Sequence, residues 1–190
     1  MKKKTLLLIG IIIITVASLF LLFLNRKRDY KDDNNTLYSI KFGNIKLRFE
    51  RYDYVLGQNQ LVGVEKSTNY GKNYKNITKT PITVSMESKF IFFNEKLGFA
   101  VKRPNITKEK GKYYGMYVTK NGGKTFQLSE INYENNDIEI LTIEDVPYYE
   151  KRKLKLHCSI YQIKSDHSGY ENKDLYFTTK DDGKTWKLDS

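Results

Sequence analysis

A short motif occurs three times in this chain, and its starts lie 52 and 60 residues apart. Each copy has a hydroxyl-bearing residue first, Asp or Asn third, Gly fifth and an aromatic residue eighth. Self-similarity at such a period predicts a fold built from repeated units. The copies contain Ser67, Asn69, Gly71, Asn73 and Tyr74, then Thr119, Asn121, Gly123, Thr125 and Phe126, and finally Thr179, Asp181, Gly183, Thr185 and Trp186.

The motif has the composition of a tight turn between two strands. An Asp or Asn side chain bonds its own backbone two residues further on, and the Gly that follows adopts a positive φ at little cost. The first residue and the aromatic residue flank the turn, and the ring is expected to pack back on the hairpin. A strand-like run precedes each copy, for example Leu175 to Thr178, so each motif predicts a β-hairpin.

The motif resembles the Asp box, Ser/Thr-x-Asp-x-Gly-x-Thr-Trp, of sialidases and related β-propellers. The third copy, Thr179 to Trp186, matches it at every defined position. The other two copies depart from it at the Asp and Trp positions, and the first also has Asn73 at the Thr position. The segment Phe90 to Val101 is also similar to the blade opening of propeller-type photosystem assembly factors. The resemblance implies an all-β fold of about three antiparallel propeller-type blades.

The resemblance covers roughly residues 37–190 and predicts blades at about 37–80, 85–132 and 136–190. Lys164 to Asp174 is predicted to be a long surface loop within the third blade. Propellers typically have four to eight blades, so three leave the ring open or incomplete. Exposed edges on an open arc favour pairing with another chain. A homo-oligomer in which two copies close a six-bladed ring is therefore one expectation.

The run from Leu6 to Leu24 contains no charged residue. A helix of that length spans a hydrocarbon core of about 30 Å. Residues 1–28 are therefore predicted to be a transmembrane signal anchor with residues 5–24 in the membrane, followed by a polar linker at residues 29–36. The short basic N-terminus before the span favours a cytoplasmic N-terminus and an extracytoplasmic domain. The alternative is a signal peptide cleaved near Ala17, which would release a secreted domain.

Charge and the arginine positions limit the possible functions. The net charge is +11, but the basic residues are scattered among acidic ones, which is not the pattern of a nucleic-acid reader. Sialidases, whose Asp box the motif resembles, hold their substrate carboxylate with three arginines and use a Tyr/Glu pair and an Asp for catalysis. The arginines beyond the juxtamembrane segment lack the Arg-Ile-Pro context of that family, so we predict no enzyme activity and no catalytic residue. They are Arg48, Arg51, Arg103 and Arg152.

The remaining reactive side chains favour structural roles. Cys158 occupies one of the alternating apolar positions of its strand-like stretch and is predicted to be buried, whereas the His157 side chain is expected on the opposite face of the strand. The third turn offers too few oxygen ligands for an EF-type calcium site, so neither a metal nor a cofactor is expected. The sequence favours a membrane-tethered binding module for a protein or glycan ligand. Alternatives are an assembly or stability factor for a membrane complex and a sialidase-like glycoside hydrolase.

Overall fold

The computed structural model describes residues 35–109, 112–134, 140–163 and 169–189, and the compact unit that carries the strands begins at Thr36. The all-β prediction is confirmed for this part of the chain. The predicted anchor and most of the predicted linker lie outside the described residues. Among the residues that are described, no helix is long and apolar enough to cross a membrane.

The strands in chain order are β1 (Thr36–Phe42), β2 (Ile45–Val55), β3 (Asn59–Ser67), β4 (Lys75–Asn76), β5 (Ile82–Ser85), β6 (Phe90–Phe92), β7 (Gly98–Val101), β8 (Asn105–Glu109), β9 (Lys112–Thr119), β10 (Gln127–Asn132), β11 (Ile140–Ile143), β12 (Tyr148–Glu150), β13 (Lys153–Ile163), β14 (Tyr170–Thr178) and β15 (Thr185–Leu188).

Twelve of the described strands form three antiparallel meanders of four strands each. The first runs β1–β2–β3–β4. The second runs β6–β7–β9–β10, and the third runs β12–β13–β14–β15. The repeated motif lies between the third and fourth strand of every meander. Each motif thus joins two antiparallel strands, as the hairpin prediction required.

The remaining strands link the meanders, so the three meanders do not form three separate sheets. β5 extends β3, so the first meander belongs to a five-stranded sheet. β8 pairs with both β9 and β11, β11 pairs with β13, and β10 runs parallel to β15. These hydrogen bonds join the second and third meanders into one curled ten-stranded sheet. The described part of the chain therefore contains two sheets.

Two apolar cores lie on opposite sides of the second meander. Because side chains alternate along a strand, Phe90 and Phe92 of β6 face the first core while Ile91 faces the second. The first core also contains Leu47, Phe49, Val62, Val64 and Ala100. The second contains Phe99, Val101, Met116, Val118, Leu156, Cys158, Phe177 and Trp186. The second meander is thus covered on both faces.

The β13–β14 hairpin is longer than the sequence indicated. β14 begins at Tyr170, and its pairing with β13 continues from Ser159↔Asp174 to Ile163↔Tyr170. The prediction of a loop from Lys164 to Asp174 is therefore wrong for residues 170–174. Residues 171–174 are exposed and polar, so they carry no hydrophobic alternation that would mark a strand.

The repeated turns and the candidate binding face

The three turns share one hydrogen-bond pattern. In the third, Gly183 N–H donates to Thr179 Oγ1 at 2.9 Å, and the Thr179 hydroxyl donates to Asp181 Oδ1 at 2.8 Å. Thr185 N–H donates to the same carboxylate oxygen at 2.8 Å. The equivalent bonds measure 2.8, 3.1 and 3.0 Å in the second turn and 2.9, 2.8 and 3.0 Å in the first. Each turn therefore satisfies its own polar side chains.

The backbone conformation explains why glycine stands at the fifth position. In the third turn, Asp182 and Gly183 have φ values of 55° and 84°. These two residues are the central pair of a four-residue turn, in which Lys184 N–H donates to the Asp181 carbonyl at 3.4 Å. Glycine is strained least in this conformation, and Asp or Asn tolerates it better than most residues.

The carboxylate of the third turn has a perturbed acidity. Partial burial of Asp181 acts to raise its pKa. Hydrogen bonds from the two threonines of the turn, together with the charge of Lys120, lower it by more, so the pKa of this carboxyl lies below its usual value. The carboxylate is therefore ionised at neutral pH and serves as a hydrogen-bond acceptor.

The second turn also docks on the first sheet. The Thr78 hydroxyl donates to the Gly123 carbonyl at 2.7 Å, and Lys79 N–H donates to the Lys124 carbonyl at 2.9 Å. Thr78 Oγ1 in turn accepts the buried Val64 N–H at 2.6 Å. The backbone of the turn thereby joins two neighbouring meanders.

The same docking is repeated one unit further along the chain. The Ser129 hydroxyl donates to the Gly183 carbonyl, and Glu130 N–H donates to the Lys184 carbonyl at 2.9 Å. The buried indole of Trp186 donates its Nε1–H to Ser129 Oγ at 2.8 Å. The repeated turns are thus built into the scaffold, and their polar atoms are occupied by internal bonds.

The aromatic residue at the eighth position has a different environment in each copy. Trp186 is fully buried against Phe99, with ring centroids 6.1 Å apart. Phe126 is partly buried against the first core. Tyr74 lies under the guanidinium of Arg48, 3.8 Å from it. All three rings are held by packing within the chain.

A shallow cleft lies beside the first and third turns at equivalent positions of the repeat. In the second copy, Lys120 instead donates to the Asp181 carbonyl and pairs with Asp182 of the third turn. The cleft is therefore a property of the repeat that the neighbouring turn modifies. Its lining includes Lys66, Thr68, Asn73 and Lys75 in the first copy, and Thr178, Lys180, Thr185 and Lys187 in the third.

The arginines considered for a carboxylate clamp have separate partners. Arg48 forms ion pairs with Glu50 at 2.8 Å and Glu65 at 3.0 Å on the first sheet. Arg51 lies on the same strand but over the Tyr54 ring. Arg103 lies beside Glu109, and Arg152 lies in the turn between β12 and β13.

Cys158 is fully buried in the second core, as the sequence predicted, and burial raises the pKa of its thiol. A thiol that stays protonated and buried is a poor nucleophile. Across the described ranges, no group of three His, Cys, Asp or Glu side chains is placed to hold a metal ion.

An exposed aromatic and polar face lies on the outer side of β13 and β14. Tyr161 is 66% exposed and Tyr176 is 43% exposed. The ring of His157 stacks on Tyr176 at 4.8 Å, and its Nε2 lies 2.9 Å from Asp174 Oδ1. Asn172 lies directly opposite Tyr161, so the two tyrosines are separated by four residues along the hairpin, roughly 14 Å at the rise of a strand.

Sequence reasoning placed His157 on the side of the strand opposite Cys158 but did not identify this face. The signal was the alternation along β13, in which His157 and Tyr161 lie on the face opposite the buried Leu156, Cys158 and Ile160. Ser159, on the same face as His157 and Tyr161, is buried and bonded to Glu144. The complementary residues of β14 fell in the segment predicted as a loop.

Comparison with protein-family models and with curated proteins finds no match to this chain.

Proposed function

We propose that this chain is a membrane-tethered, non-catalytic binding module in which three Asp-box blades display a glycan-binding face. The blade assignment is supported by three meanders of equal strand number, each with its turn between the third and fourth strand. The repeated docking of one turn on the preceding unit supports it further. The tether is the apolar run Leu6 to Leu24, and the short basic N-terminus before it favours a module outside the cytoplasm.

The observation that carries the proposed function is the outer face of β13 and β14. Tyr161 and Tyr176 lie at its two ends, with Asn172 directly opposite Tyr161 and Asp174 between the two ends. Exposed aromatic rings offer an apolar surface for the C–H face of a sugar, and their hydroxyls remain available to water or ligand. Carboxylate and amide groups are acceptors and donors for sugar hydroxyls. A separation of about 14 Å accommodates a short oligosaccharide rather than a single ring.

The test is a binding titration of the full chain in detergent with chito-oligosaccharides and sialyllactose. Tyr161→Ala and Tyr176→Ala should each weaken binding about tenfold, which corresponds to about 1.4 kcal/mol. Tyr70→Asn is the matched control, because it removes an equally exposed ring from the first turn and Asn tolerates a positive φ. Undiminished affinity in both alanine variants would show that this face does not hold the ligand.

Two further measurements address the alternative functions. A fluorogenic sialoside that is hydrolysed by the folded chain would overturn the non-catalytic part of the proposal. Capture of a membrane complex by the anchored chain, lost when both tyrosines are replaced, would favour an assembly factor that uses the same face for a protein.

A further inference from the structure

The first cleft, which lies beside the first repeated turn, has a polar and positively charged lining. Its volume of about 490 Å³ is within the range of small-molecule sites, whereas the cleft beside the third turn measures about 250 Å³. Two amines and three hydroxyl or amide side chains give it the donors that an anion requires. The lining residues are Lys66, Thr68, Asn69, Asn73, Lys75 and Ile77.

The two lysines of the first cleft are held side by side. Lys66 of β3 and Lys75 of β4 are directly opposite each other in the antiparallel ladder. The Cβ atoms of such a pair are roughly 5 Å apart, and like charges there are destabilising. None of the ion pairs among the described residues includes either lysine. The adjacent Glu65 faces the other side of the sheet, where it pairs with Arg48 at 3.0 Å. Within this part of the structure, the two positive charges therefore lack a balancing carboxylate.

The amide of Asn69 adds a hydrogen-bond donor to the same cleft. In the second turn, the equivalent Asn121 donates from Nδ2 to Thr125 Oγ1 at 2.8 Å. The first turn has Asn73 in place of that threonine, and no described group accepts a hydrogen bond from Asn69 Nδ2. Asn69 Oδ1 still accepts from the Ser67 hydroxyl and from Asn73 N–H. The turn is thus closed by the oxygen of the amide, and its NH₂ group is left for a ligand.

Comparison with the third turn shows what the Asn at the third motif position changes. The cleft beside the third turn also has two lysines, Lys180 and Lys187. There, however, the Thr185 hydroxyl donates to Asp181 Oδ2 at 2.7 Å, and this carboxylate is ionised at neutral pH. A fixed negative charge beside a cleft repels an anion. The first turn makes the same backbone bonds with the uncharged Asn69, so its cleft keeps the full charge of its lysines.

We propose that the first cleft binds a phosphate monoester group, with Lys66 and Lys75 on its oxygens and with Asn69 and Thr68 as hydrogen-bond donors. Such a group carries a charge of about −1.5 to −2 at neutral pH, which matches two lysines, and it has three acceptor oxygens. The volume of the cleft leaves room for the carrier of the phosphate. The site shares no residue with the outer face of β13 and β14, so it stands whether or not that face binds a glycan.

The test is a titration of the isotope-labelled full chain in an uncharged detergent, followed by nuclear magnetic resonance at constant ionic strength. The ligands are inorganic phosphate and glucose-6-phosphate. Both should cause saturable shifts of the side-chain amide resonances of Asn69 and Asn73, which line the cleft. Tighter binding of glucose-6-phosphate would support a site for a phosphorylated sugar, and equal binding would support a site for the free ion. The absence of saturable shifts with either ligand would overturn the proposal.

Replacement of one lysine tests the charge of the cleft. Lys75→Gln introduces the residue that the second copy of the repeat has at this position, Gln127. It should weaken phosphate binding about tenfold, because a hydrogen bond from a charged group is lost. Lys187→Gln is the matched control at the equivalent position of the third copy, and it should leave the affinity unchanged. Equal losses in the two variants would mean that binding follows net charge, which overturns the site.

The same two variants test the like-charge pair without ligand. At low salt, Lys75→Gln should raise the midpoint of urea unfolding, because it removes a charge directly opposite Lys66. Lys187 is opposite Thr178, so Lys187→Gln should leave the midpoint unchanged. A midpoint that is lower for Lys75→Gln than for its control would contradict the repulsion from which the site is inferred.

Asn69→Asp separates a binding role of this residue from a structural one. The carboxylate keeps the oxygen that closes the turn, as Asp181 does in the third copy, but adds a negative charge to the cleft. Phosphate binding should fall about tenfold or more while circular dichroism and the unfolding midpoint stay close to those of the parent chain. Asn121→Asp adds the same charge to the second turn and should leave the affinity unchanged. Unchanged affinity in Asn69→Asp, or an equal loss in Asn121→Asp, would overturn the proposal.

Discussion

Replacement of two glycines by alanine separates the two reasons for glycine in the repeated turn. Gly183 has a φ of 84°, and a Cβ on it would lie 2.3 Å from Phe99 Cε1 and 3.2 Å from Trp186 Cζ2. Gly43, in the turn between β1 and β2, has a φ of 60° but open space around its would-be Cβ. Gly43→Ala therefore measures the backbone cost alone, and Gly183→Ala measures the backbone cost with the steric one.

The expected magnitudes follow from these two terms. A left-handed backbone costs an L-residue roughly 1–2 kcal/mol, which is the predicted loss for Gly43→Ala. Forcing an extra carbon into a packed core costs about 1–3 kcal/mol more. Gly183→Ala should therefore lower the free energy of unfolding by about 2–5 kcal/mol, because Phe99 belongs to the buried core and has little room to move.

The assay is urea denaturation of the full chain in detergent, followed by the fluorescence of Trp186, the only tryptophan in the sequence. The two variants should differ in midpoint with unchanged slope. A Phe99→Leu background should reduce the cost of Gly183→Ala towards that of Gly43→Ala, since the facing ring is gone. Equal losses in the two single variants would refute the claim that the Gly183 site excludes a Cβ.

Two further changes probe the third turn. Ser129→Ala leaves the Gly183 carbonyl and the Trp186 indole without their shared hydroxyl, so it should cost about 2–4 kcal/mol in the same assay. Ser39→Ala, on the exposed part of β1, is its control, and comparable losses would contradict the bridging role. The pKa of Asp181 is lowered by folding, so its stabilisation is present above the unfolded value of about 3.9 and is lost as pH falls through the lower folded value. Asp181→Asn should therefore lose less stability than the parent chain in acid, and parallel pH curves would argue against this.

The hairpins were predictable because their signals are local. A turn that needs two positive φ values, a Gly at the second of them and an Asp or Asn to bond the backbone is specified within eight residues. Asn69 and Asn121 make the same bonds as Asp181, which is why the degenerate copies fold like the complete one. The burial of Cys158 was equally predictable, because apolar and polar residues alternate along its strand.

The connections between units were not predictable in the same way. β8 and β11 pair with each other across residues about 35 apart, and the parallel pairing of β10 with β15 joins residues 55 apart. Such contacts depend on how meanders stack and leave no periodic signal in either strand. Leu56, in the turn between β2 and β3, is 94% exposed, although its short apolar run in the sequence gives no indication of whether it is buried or exposed.

The surfaces between the meanders differ in composition from the outer face that is proposed to bind a glycan. Where one meander packs on the next within this chain, the contact is made by side chains such as Phe49, Phe92 and Phe99. The outer face of the third meander instead presents His157 and Asp174, whose hydrogen-bonding groups lose hydration if another copy of the chain covers them. That cost argues against a ring of two copies closed through this face. A hydrated ligand such as a glycan can replace the lost water with its own hydroxyls, so the polarity that opposes closure of the ring is the same property that suits the face to a sugar.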